Sequence, residues 1–159
     1  MTTTHTKRRR ALLVAASALY ASALWWMTLR PEPYGPRTAG ILRRVFALLA
    51  DWPATAWVTF DMVEFSANIV MFVPVGCLVL AWGGRPWQGI LIGVALSAAI
   101  EITQLLALPT RVADVRDLVA NTVGAALGVL LIVSLRRAAR ASQRAHSRRH
   151  RKLIDTGAQ

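Results

Sequence analysis

Residues 88–108 read QGILIGVALSAAIEITQLLAL, a run whose only ionisable residue is Glu101. As a helix rising about 1.5 Å per residue it reaches about 30 Å, the thickness of a bilayer's hydrocarbon core. Three further runs have the same character: 11–29, 67–82 and 117–135. With 55% hydrophobic residues and a mean hydropathy of +0.42, the chain is too apolar for an ordinary soluble domain of its length. The pattern predicts an all-α integral membrane protein: four transmembrane helices in an antiparallel bundle, plus a short outer interfacial helix.

The punctuation between the runs agrees. Gly83-Gly84-Arg85-Pro86 stops one helix and permits a tight return. Residues 30–66 form an outer loop. Pro31, Pro33, Gly35 and Pro36 open it, and Ile41, Leu42, Val45, Phe46, Leu48 and Leu49 then share one face opposite Arg43, Arg44 and Asp51. That amphipathic stretch is too short to span and suits a surface helix, with Trp52 and Trp57 as belt aromatics; a packed loop helix is the alternative. Residues 1–10 make a basic tail. Residues 136–159 make a second one, expected to lose order beyond a first helical turn.

A competing reading treats Lys7, Arg8, Arg9 and Arg10 as the head of a signal peptide cleaved near Ala21-Ser22-Ala23. The run stays apolar past that point, which favours a span. Charge sets the orientation. With both termini cytoplasmic, thirteen of nineteen lysines and arginines fall inside and six outside, while seven of eight acids fall on or near the outer side. The basic tails thereby find a reason in anionic lipid headgroups, and no nucleic-acid partner is expected. A single cysteine, Cys77, rules out an intrachain disulfide. His5, His146 and His150 lie only in the tails, so a histidine triad or histidine zinc site within the membrane is excluded.

An ionisable group inside a span is a functional-site hypothesis by default, and Glu101 is that group. At about 100° per residue, Gly93, Ser97, Glu101 and Gln104 fall within an arc of about 80°, and so do Asp114, Asp117, Asn121, Gly124 and Gly128 on the next helix. Both faces are small at depth and polar near the outside, so they are expected to meet through their glycines. Asn68, Phe72 and Gly76 share a face in the second span, with Pro74 freeing a carbonyl nearby. Two readings stand for these polar groups: interhelical hydrogen-bond glue and a helix cap, with Arg111 or Arg116 neutralising Glu101, or a ligand site.

These same residues carry a resemblance. Asn68-Ile-Val-Met-Phe-Val-Pro74-Val-Gly76, Glu101-Ile-Thr-Gln104 and Arg111-Val-Ala-Asp114-Val-Arg-Asp117, running on to Asn121 and Gly124, resemble the VanZ-like family of small bacterial membrane proteins. The match covers about residues 68–128, with span one and the outer loop alike only in layout. The carried positions are Asn68, Pro74, Gly76, Glu101, Gln104, Arg111, Asp114, Asp117, Asn121 and Gly124. The loop Leu108-Pro109-Thr110-Arg111 departs from the family pattern, being shorter and less aromatic. The family takes its name from a protein associated with teicoplanin resistance, so the resemblance implies the bacterial cytoplasmic membrane and a cell-envelope role rather than a reaction.

The first functional hypothesis is a non-catalytic envelope protein. Its outer cleft (Asn68, Glu101, Gln104, Arg111, Asp114, Asp117, Asn121) would bind a lipid-linked cell-wall precursor, a lipid headgroup or a glycopeptide-related ligand, with Arg111 and Arg116 meeting phosphate or carboxylate. The second is an enzyme on a lipid-linked substrate, with Glu101 as acid or base and Asp114 and Asp117 as ligands of a divalent cation. No residue pattern compels a metal or cofactor. A solitary four-span transporter is a third, weaker option.

Overall fold

The computed structural model describes residues 2–28, 35–107 and 114–157, with side chains described only between residues 6 and 144. These residues form five helices: α1 (Thr2–Thr28), α2 (Pro36–Ala50), α3 (Phe60–Ala81), α4 (Pro86–Ala107) and α5 (Val115–Gly157). Four of them, Thr6–Thr28, Phe60–Ala81, Pro86–Ala107 and Val115–Arg144, are long and apolar enough to cross a membrane. Large apolar side chains on the outside of the bundle, such as Leu106 at 80% and Leu130 at 58% exposure, fit a hydrocarbon surround rather than water.

Helix ends follow local chemistry. α3 begins seven residues before the expected 67, because the Thr59 hydroxyl accepts the Met62 N–H at 3.3 Å and Asp61 sits in the first turn, where the helix dipole favours an acid. Asp61 and Glu64 had masked this turn in the hydropathy pattern. α3 ends in a Schellman motif: Gly83, at φ 95°, donates to the Leu80 carbonyl and Gly84 to that of Val79. Arg9 and Arg136 also donate to the last carbonyls of α3, at Ala81 (2.8 Å) and Leu80 (2.5 Å). Pro74 lies inside α3 without ending it.

α5 continues as a helix to Gly157, past the first turn expected of the basic tail. From Val129 to Thr156 the chain has neither proline nor glycine and is rich in alanine and arginine, both strong helix formers.

α5 is the central element, with α3 on one side and α4 on the other. A side chain added at Gly124 would strike the Ile69 carbonyl, and one at Gly128 the Val73 carbonyl, so α3 lies directly on this stripe. Gly76 meets the α5 backbone near Ala125 in the same interface. On the α4 side, Gly93 rests on the Ala125 methyl. The expected glycine-to-glycine meeting of spans three and four is therefore corrected. Positions 124 and 125 point about 100° apart, and α5 uses the glycines for α3 and the alanine for α4. The core gathers Leu24, Phe72, Val75, Ile100 and Ala125.

Candidate functional site

The polar side chains in the spans converge where α1, α3, α4 and α5 meet near the start of α5. Asn68 donates through Nδ2 to Asp117 Oδ1 at 2.6 Å, a short bond to a carboxylate that ties α3 to the first turn of α5. Glu101 Oε2 accepts the Asp114 backbone N–H at 3.0 Å, so the acid of span three secures the N-terminus of α5. Asp114 Oδ1 in turn accepts the Arg116 N–H at 2.8 Å, a helix cap.

Deeper in, Asn121 donates through Nδ2 to Ser97 Oγ at 2.8 Å, joining α5 to α4. Gln104 donates to the Thr28 carbonyl at 2.7 Å, joining α4 to the last described turn of α1. Ser97, Gln104 and Asn121 are all buried, and Asn121 is only 3% exposed.

Asn121 Oδ1 is buried and accepts no hydrogen bond. Such a buried group costs about 1–3 kcal/mol. Asn121 lines a cavity of about 140 Å³ together with Thr28, Glu64, Asn68, Glu101, Gln104 and Asp117, with Met27, Ala67, Met71 and Ile100 as its apolar wall.

Five of the seven residues expected to bind a ligand line this pocket: Asn68, Glu101, Gln104, Asp117 and Asn121. Asp114 caps α5 and is not among the lining residues, and Arg111 lies outside the described residues. Arg116 pairs with Asp61 at 3.3 Å on the exposed surface rather than with Glu101. Asp114 and Asp117 accept from different donors, and among the described residues no group of three or more His, Cys, Asp or Glu is placed to hold a metal ion. Thr28 and Glu64 are the polar residues that reading the sequence missed. Thr28 is engaged through its backbone carbonyl, which leaves no signature in residue type, whereas Glu64 could have been found from its place four residues before Asn68 on the same helical face.

No curated protein and no solved structure matches the chain. A family model described as VanZ/LLP1 matches residues 17–136, which takes in the second half of α1 and the segment before α3 as well as the motifs of α3, α4 and α5. With four apolar helices long enough to span and a match over most of its length, this multi-pass membrane protein belongs to the VanZ/LLP1 family.

Proposed function

We propose that the protein is a non-catalytic component of the bacterial cell envelope whose polar pocket faces outward and binds the headgroup of a lipid or lipid-linked ligand, thereby altering the access of glycopeptides to cell-wall precursors. The observation that carries this reading is the unpaired Oδ1 of Asn121, a residue only 3% exposed that lines the pocket with Asn68, Glu101, Gln104 and Asp117. A buried acceptor without a donor is a position that a ligand's N–H or O–H completes.

The pocket's size limits the ligand. About 140 Å³ is well under the roughly 300–1,000 Å³ of sites for drug-sized molecules, so it suits a headgroup fragment and not a whole glycopeptide. Any effect on teicoplanin therefore runs through the lipid. The outward orientation is supported by the arginines at the opposite end of the bundle, where Arg9 and Arg136 hold the end of α3 and Arg85 follows it. α2 lies in the outer interface in this reading, its exposed Ile41, Val45 and Leu48 turned to lipid.

Teicoplanin susceptibility of a sensitive host tests the proposal. Wild-type protein is expected to lower susceptibility, and Glu101→Gln and Asn121→Leu, at matched membrane levels, to lose the effect. Equal susceptibility in all strains would withdraw the glycopeptide role.

A further inference from the structure

A second cavity, of about 700 Å³, runs along the side of the bundle between α1 and the α3–α4 pair. α1 reaches its neighbours through spaced hydrogen bonds: Trp82 to Ser17 at 3.1 Å, Tyr20 to the Met71 carbonyl at 3.0 Å, and Gln104 to the Thr28 carbonyl. Between them the wall is apolar, built from residues such as Leu24, Leu78, Ile92 and Leu96. Thr28 and Ile100 line both this groove and the polar pocket, so the two spaces adjoin.

We propose that groove and pocket form one lipid site, with a hydrocarbon chain in the groove and its headgroup in the pocket. This inference rests on the headgroup reading above and deepens it to a class of ligand. Three observations commit the groove to a lipid chain. It opens between helices of membrane-spanning length, where hydrocarbon is the abundant filler and an apolar cavity does not recruit water. From Gln88 to Thr103 it follows α4 for about 22 Å, most of the ~30 Å hydrocarbon core and length enough for an extended acyl chain. Close helix packing in this protein uses glycine and alanine, as between α3 and α5, whereas the groove wall is mostly bulky, which disfavours the helix of a second copy.

The test uses the full chain in vesicles of phosphatidylethanolamine and phosphatidylglycerol, with a trace of phosphatidylglycerol carrying a diazirine midway along one acyl chain. After illumination, adducts are mapped by mass spectrometry. Leu78, Ile92 and Leu96 are expected to carry several-fold more label than Leu127, Leu130 and Leu131 on the outer face of α5. Ala21→Phe and Ala99→Phe, which fill the groove without touching the polar pocket, should reduce groove labelling to the outer-face level. Asn121→Leu should weaken it about tenfold, the effect of one lost hydrogen bond of ~1.4 kcal/mol.

Uniform labelling overturns the inference. So does a groove left unlabelled while outer faces react, which would mark it as closed by a second copy or by α1. Groove labelling that Asn121→Leu leaves intact in a monodisperse protein separates the chain from the pocket and also overturns the single site. Failure of the headgroup reading alone shows instead as an equal lipid-induced rise in the unfolding midpoint of wild type and Asn121→Leu, which does not depend on where the chain lies.

Discussion

Asn121 concentrates the tension between stability and function in this protein. It gives one hydrogen bond to Ser97 and leaves its other polar atom without a partner. Asn121→Leu removes both, so the gain offsets the loss, and the unfolding free energy in detergent is expected to change by no more than ~1 kcal/mol while ligand binding weakens about tenfold. A fall of several kcal/mol in a denaturant titration would make Asn121 a structural residue instead. Asn68 and Asp117 are the contrasting pair, joined by a hydrogen bond of 2.6 Å. A double-mutant cycle with Asn68→Ala and Asp117→Ala should return a coupling of ~1–2 kcal/mol; a coupling near zero would remove this bond from the account. Asn68, Glu101, Gln104, Asp117 and Asn121 of the pocket were legible in the sequence because amide and acid groups are costly in a span and their helical spacing placed them on common faces. Their partners were less so. Gln104 meets a backbone carbonyl of another helix, and Arg116 turns to Asp61 across the surface, choices that only the packing decides.

Among the elements, the contact of α3 with α5 depends on the absence of side chains at Gly124 and Gly128. Gly128→Leu would drive a side chain into the Val73 backbone, and overpacking of this kind costs ~1–3 kcal/mol or more when backbone must move. Loss of the monodisperse species on size exclusion is the expected outcome. Gly40→Ala on α2 is the control, because a methyl there meets nothing within 4 Å and alanine favours a helix by up to ~1 kcal/mol. Gly83→Val probes the turn after α3: a β-branched residue at φ 95° should lower the unfolding midpoint, and an unchanged midpoint would show that the turn does not constrain the fold. Runs of apolar residues and the Gly83-Gly84 signal made the four long helices legible. The first turns of α3 were hidden because Asp61 and Glu64 lower local hydropathy while Thr59 and the helix dipole favour the helix. The extension of α5 was hidden for the opposite reason, its charge suggesting disorder while its alanines and arginines favour helix.

At the scale of the whole molecule, one end of the bundle is basic and holds the end of α3 through Arg9 and Arg136, while the other gathers Asn68, Glu101, Gln104, Asp117 and Asn121 around a small pocket. The account's central claim is that this pocket takes a lipid headgroup through Asn121. The most direct measurement is the unfolding midpoint of the full chain in detergent, with and without added polar lipids extracted from a bacterial membrane. A ligand at a hundred times its dissociation constant stabilises by ~2.7 kcal/mol. The wild type should therefore melt several degrees higher with lipid, and Asn121→Leu, binding about tenfold more weakly, should show only about half of that rise, from ~1.4 kcal/mol. An equal rise in both proteins would mean that lipid stabilises the bundle without using the pocket, and would contradict the claim.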